Sequence, residues 1–127
     1  METINQTITP MVLVRSDAHC DISEATIIYP GGRIERTSLI VTKPGADLVG
    51  NRHHGRPVTF ILVEGEAVLL TQDVITIIAR RMVLAAGTVV EIPAGLAYAF
   101  VPKGQITLIC RTDSAEVDMK TATWDFA

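Results

Sequence analysis

GNRHHGRPVTFILVEG, residues 50–65, is the stretch whose reading decides the fold, and GTVVEIPAGLAYAF, residues 87–100, answers it downstream. The first carries two of the three histidines, two arginines, and a proline that ends one strand before VTFILVEG begins another. In the second, Gly87 opens a turn, TVVEI reads as a strand, and Pro93-Ala94-Gly95 reverses the chain into LAYAFV. Proline has no N–H for a central ladder, and glycine supplies the backbone freedom of a reversal. Short β-branched runs punctuated in this way predict a small barrel with a pocket rather than a helical protein.

The pattern extends in both directions. MVLVR (11–15) reads as a short strand after a polar arm, and SDAHCDISEA reads as loop. TIIYPGGRIERTSLIV (26–41) predicts two strands around Pro30-Gly31-Gly32. In the second of these, Ile34, Arg36, Ser38 and Ile40 share one face. Lys43-Pro44-Gly45 is a turn before ADLVGNRHH (46–54). VTFILVEGEAVLL (58–70) predicts a hairpin turning at Glu64-Gly65-Glu66, and VITIIARRMVL (74–84) one more strand. Pro102-Lys103-Gly104 predicts a turn into QITLICR. The tail holds the single tryptophan, Trp124. Many short strands with Gly/Pro turns and no amphipathic helix predict an all-β closed barrel or sandwich.

Composition bounds the function. The chain of 127 residues holds one domain's worth of core. Its 48% hydrophobic content and mean hydropathy of +0.34 are high, yet no apolar run approaches the roughly 20 residues of a membrane helix. The N-terminus shows no basic start followed by an apolar stretch, so a cytoplasmic protein is expected, with no membrane partner. A net charge of −3 argues against nucleic acid, which needs a positive patch. Cys20 and Cys110 lie far apart without a C-x-x-C, the pattern of reduced thiols. His19 and Cys20 are adjacent, so on an extended backbone they point apart, which disfavours a shared metal. VITIIA (74–79) is apolar on both strand faces, which predicts a homodimer helped by a strand from the N-terminal region.

These motifs resemble those of the cupins. Gly87, five residues, Pro93-x-Gly95, two residues and Tyr98 is similar to the second cupin motif, which usually ends in histidine. G50-N-R52-H-H54 and V58-TFILVE-G65 are similar to the first, Gly-x-His-x-His followed by Glu, six residues and Gly. The resemblance covers roughly residues 34–111. It implies a cupin-type antiparallel β-barrel, a double-stranded β-helix or jelly roll. The whole chain is then one domain: residues 1–25 as arm and edge strand, 34–111 as barrel core, 112–127 as tail.

The resemblance also places four positions where cupins usually hold a metal: Arg52, His54, Val58 and Tyr98. Only one is a metal ligand, and Arg52 sets a fixed positive charge where the cation would sit. We therefore expect no metal and no cofactor. Strand alternation sends Arg52 and His54 to one face and His53 to the other. His54 and Tyr98 are the candidate catalytic pair, since imidazole and phenol can exchange protons. Arg52, His53, Val58 and Phe100 are the candidate contacts for a small-molecule ligand, with Arg52 as the anion fork. An internal ion pair of Arg52 with Glu91 or Glu64 is the alternative role for that arginine. Arg33, Arg36, Arg80 and Arg81 read as solvated strand residues. Metal-free cupins include sugar-nucleotide epimerases and ketoisomerases, so the implied activity is an isomerase or epimerase of a sugar-derived or anionic substrate. A non-catalytic ligand-binding cupin and a metal-dependent dioxygenase are the alternatives.

Overall fold

The computed structural model describes residues 11–113 and 121–123. The described residues form nine strands and no helix. They are β1 (Val12–Ser16), β2 (Cys20–Ile28), β3 (Ile34–Thr42), β4 (Val49–His54), β5 (Val58–Asp73), β6 (Ala79–Leu84), β7 (Val89–Ile92), β8 (Leu96–Asp113) and β9 (Thr121–Thr123). All the pairings are antiparallel. The arm at residues 1–10 and Trp124 lie outside the described residues.

The long pair β5 and β8 is the spine. Its two halves belong to two layers. In one layer the pairings run β1–β2–β3, then residues 107–113 of β8, then the start of β5, then β7. In the other they run β9–β4, then residues 96–103 of β8, then the end of β5, then β6. The core lies between these layers. Phe60, Leu62, Leu108 and Ile92 come from the first and Leu69, Tyr98, Phe100 and Leu84 from the second, all at most 5% exposed. Side chains alternate along each strand between its irregularities, which gives each layer an inward set to fill the core.

The ribbon bends where two turns were expected. Glu64-Gly65-Glu66 and Pro102-Lys103-Gly104 are not hairpin turns: both stretches continue their strands through paired irregularities, with Glu64 opposite Thr107 and Glu66 opposite Lys103. The two breaker clusters face each other across the ladder and fold both strands over together. Gly65 has φ +90, and a Cβ there would stand 2.6 Å from the Gln105 carbonyl oxygen. Turn-forming residues thus make a corner rather than a reversal. Thr42 braces the corner from β3: its Oγ1 accepts from Ile106 N–H at 2.8 Å and donates to Ile106 O at 3.3 Å.

Two other expectations shift. The stretch expected as loop at 16–25 already enters β2 at Cys20, where alternating side chains pair with β3 in unbroken register. The strand expected over 74–84 begins only at Ala79, because Asp73 and its neighbours close a tight hairpin first. The Pro30-Gly31-Gly32 reversal between β2 and β3 forms as expected, with Tyr29 and Arg33 joined by a backbone bond of 2.8 Å.

Candidate functional site

A bulge on β4 builds the site. Val49 pairs Phe100 and Gly50 pairs Ala99, yet Arg52 pairs Tyr98, so Asn51 is an extra residue. Asn51 sits at φ 62, a left-handed value that asparagine tolerates better than most residues. In an unbroken ladder Arg52 would oppose Ala97. The extra residue rotates it to face the same side as Tyr98, and alternation then brings His54 to that side as well. Gly50 completes the arrangement. It has φ +107, and a Cβ there would lie 2.8 Å from Tyr98 Cε2 and 3.0 Å from Cδ2. The tyrosine ring therefore packs directly against the backbone of β4.

These residues line a cavity of about 450 Å³ between the two layers. Arg52, His54 and Tyr98 wall one side, and Arg36, Ser38 and Ile40 on β3 with Phe60 and Cys110 wall the other. Glu24, Asp47, Arg15 and His19 also line it. Arg36, expected on the solvent side, belongs to this wall because β3 turns its Arg36-Ser38-Ile40 face toward the cavity. His19 and Cys20, although adjacent, both reach the cavity, since His19 lies in the bend before β2 starts.

His54 and Tyr98 touch directly. Their Nε2 and hydroxyl oxygen are 2.8 Å apart, and the rings stack with centroids at 5.5 Å. Tyr98 packs in turn on Phe60 at 4.9 Å and Phe100 at 5.9 Å. Burial, then the Arg52 charge, then His53 lower the His54 pKa to about 4. The imidazole is therefore neutral near pH 7. Burial, reinforced by Cys110, pushes the Tyr98 phenol above its ordinary range. One proton lies between two neutral groups, donated by the phenol to Nε2 or by Nε2–H to the phenol according to the imidazole tautomer. Cys110 is likewise pushed up to about 12 by burial, and Cys20 is raised by the same cause. Both thiols are free, and neither is a thiolate nucleophile at neutral pH.

Arg52 donates from Nε to Gly50 O at 3.3 Å. Arg52 lines the cavity beside His54 and Tyr98, and its charge acts on His54, Tyr98 and Cys110. Among the described residues no carboxylate lies within ion-pair distance of it. Glu64 and Glu91 are both exposed and absent from the cavity wall. Arg15, by contrast, is tied to Asp17 at 2.7 Å.

Three expected ligand contacts sit elsewhere. Val58, 1% exposed, and Phe100, fully buried, belong to the sealed core, and His53 points off the cavity wall. Alternation had already separated His53 from His54. Nothing in the sequence distinguishes an inward residue that lines a void from one that fills the core. Phe60, Cys110, Ser38 and Glu24 were missed for the same reason, since each needs a partner strand to bring it to the cavity.

The donor set does not fit the metal that the motifs would imply. Of the four positions, Arg52 and Val58 offer no ligand atom, and the buried Tyr98 phenol holds its proton. Among the described residues no group of three or more His, Cys, Asp or Glu is arranged to hold a metal ion.

No protein-family model matches the sequence, and no curated protein does. Solved structures do. The capsular polysaccharide assembling protein CapF from Staphylococcus aureus is similar over 91% of this chain and 34% of its own, at TM-score 0.71 and 21% identity. A deletion mutant of Bacillus subtilis oxalate decarboxylase OxdC is similar over 87% of this chain and 29% of its own, at TM-score 0.70 and 13% identity. Vicilin from hazelnut, Corylus avellana, is similar over 87% of this chain and 34% of its own, at TM-score 0.66 and 16% identity. This chain spans about a third of the length of the solved proteins it matches, and at such identities the likeness is one of fold. A two-layer antiparallel β-structure with no helix among its described residues, matched by these three barrels, has the cupin fold.

Proposed function

We propose that this protein binds a small anionic, sugar-derived molecule in the barrel cavity and moves a proton on it without a metal, as an isomerase or epimerase would. The observation that carries the reading is Arg52 on the cavity wall, with no acid in ion-pair range among the described residues, beside the His54–Tyr98 pair. Arginine's planar fork matches a carboxylate or phosphate. A bound anion would offset the charge that helps depress the His54 pKa, making the imidazole a better base when substrate is present. Tyr98 would then pass its proton to Nε2 and face the substrate as the proton-exchanging oxygen.

Non-catalytic binding is the second reading. One observation favours it: an imidazole with a pKa of about 4 and a phenol held well above its usual range form a feeble acid–base pair at neutral pH. A homodimer is compatible with either reading.

Thermal-shift and calorimetric screening of hydroxy- and keto-carboxylates and sugar phosphates tests the proposal. Binding by the wild type, lost in Arg52→Met, supports it; ligands bound equally by both proteins overturn it. Incubation of the best ligand in D2O separates the two readings. Deuterium entering beside its carbonyl, abolished in Tyr98→Phe with binding kept, marks the enzyme. Binding without exchange marks the carrier.

A further inference from the structure

The hairpin joining β5 to β6 is closed with unusual care. Asp73 Oδ1 accepts from Ile75 N–H at 2.8 Å and from Thr76 N–H at 2.9 Å. The Asp73 carbonyl accepts from Ile77 N–H at 2.9 Å, and its own N–H donates to Ile78 O at 3.0 Å. The buried Gln72 donates from Nε2 to Ile77 O at 3.2 Å. Val74 N–H donates to Gly95 O at 3.2 Å, which ties the loop to the neighbouring 93–95 turn.

What this framework holds is unfavourable by itself. Ile77 sits at φ 63, in the left-handed region that β-branched residues avoid. A hairpin turn at such a position ordinarily carries glycine or asparagine. Here it presents Ile75, Ile77 and Ile78 at 87%, 52% and 59% exposure. Strain held in place by a surrounding network is a mark of a functional segment. Directly behind the tip, Arg80 and Arg81 are exposed on β6. Among the described residues neither makes an ion pair, and the Asp73 carboxylate is committed to the loop backbone.

We propose that this hairpin is a peripheral docking tip for an anionic lipid surface. Ile75, Ile77 and Ile78 enter the boundary between headgroups and acyl chains, and Arg80 and Arg81 meet the lipid phosphates. Charge selects this occupant. A rigid apolar tip backed by two cations matches an anionic bilayer, where each arginine adds attraction. A second copy docked tip to tip would bring two arginine pairs together against only the two Asp73 carboxylates, which the loop N–H groups already hold. The expectation of no membrane partner rests on the lack of a spanning run; this contact is interfacial, and among the described residues no helix is long and apolar enough to cross a membrane. The inference is independent of the barrel cavity.

The test is co-sedimentation of the full chain with vesicles of phosphatidylcholine alone or with about 30 mol% phosphatidylserine. Binding to the anionic vesicles only, weakened by salt, is expected. Arg80→Glu with Arg81→Glu lowers partitioning by roughly tenfold or more. Ile75→Ser with Ile78→Ser lowers it comparably, while circular dichroism confirms the fold of each variant. Ile77→Gly keeps the fold and raises Tm, since glycine relieves the left-handed strain, yet it weakens vesicle binding. No sedimentation with anionic vesicles, or equal binding to neutral ones, overturns the proposal. So does a dimer that becomes monomeric in the Ile75→Ser, Ile78→Ser variant, which would assign the tip to a second copy.

Discussion

Replacing Gly50 with alanine tests the construction of the site at its tightest point. The new Cβ would lie 2.8 Å from Tyr98 Cε2, 3.0 Å from Cδ2 and 3.2 Å from the Tyr98 carbonyl oxygen. The ring cannot simply retreat, because Phe60, His54 and Phe100 hold it with centroids at 4.9, 5.5 and 5.9 Å. Holding alanine at φ +107 costs about 1–3 kcal/mol, and overpacking of this kind adds about 1–3 kcal/mol. Together the loss is about 2–6 kcal/mol, a drop in Tm of roughly 6–30 °C for a domain of this size. Scanning calorimetry measures it directly. A double-mutant cycle isolates the cause. In a Tyr98→Leu background the ring contact is gone, and Gly50→Ala costs only the backbone part, leaving a coupling of about 1–3 kcal/mol. A Tm within 2 °C of wild type, or an equal loss in both backgrounds, on the scale of about 1 kcal/mol resolution, refutes the close packing of Tyr98 on β4.

Further outcomes follow from the same geometry. Because the folded His54 pKa is about 4 against an ordinary 6.5, its contribution to stability is present above pH 6.5 and is lost as pH falls toward 4. Urea unfolding at pH 7 and 4.5 is expected to differ by up to about 2–3 kcal/mol from this group, and His54→Gln should flatten that window. Thr42→Val removes the hydroxyl that both donates to and accepts from Ile106, and should cost about 1–3 kcal/mol by denaturant titration. Gly65→Ala should be at least as damaging as Gly50→Ala, since its Cβ would meet a backbone oxygen at 2.6 Å rather than a ring, and loss of soluble folded protein on expression would register it. Elemental analysis should find less than about one equivalent of iron, manganese, nickel or zinc, with Tm unchanged by chelation, because the site supplies too few ligand atoms.

The sequence by itself determined the fold class and three residues that share the cavity wall, Arg52, His54 and Tyr98. β-branched runs between Gly/Pro breakers allow strands and little else, and the spacing Gly87, Pro93, Gly95, Tyr98 places the tyrosine after a reversal. Alternation within Arg52-His53-His54 was enough to put the first and third on one side, because the period of a strand is fixed by backbone geometry. Tertiary structure decided what the breakers do. Glu64-Gly65-Glu66 and Pro102-Lys103-Gly104 have turn chemistry, yet they lie opposite each other in one ribbon, and pairing turns two predicted reversals into a shared corner. It also decided which inward residues line space. The Asn51 bulge shifts Arg52 into register with Tyr98, and it exists only because β8 is there to be paired. Val58 and Phe100 are inward by the same alternation as His54 but are capped by the opposite layer, while Arg36, Ser38 and Cys110 come from strands far away in sequence. A cavity is a gap between two layers, and no single strand carries the period of its neighbour.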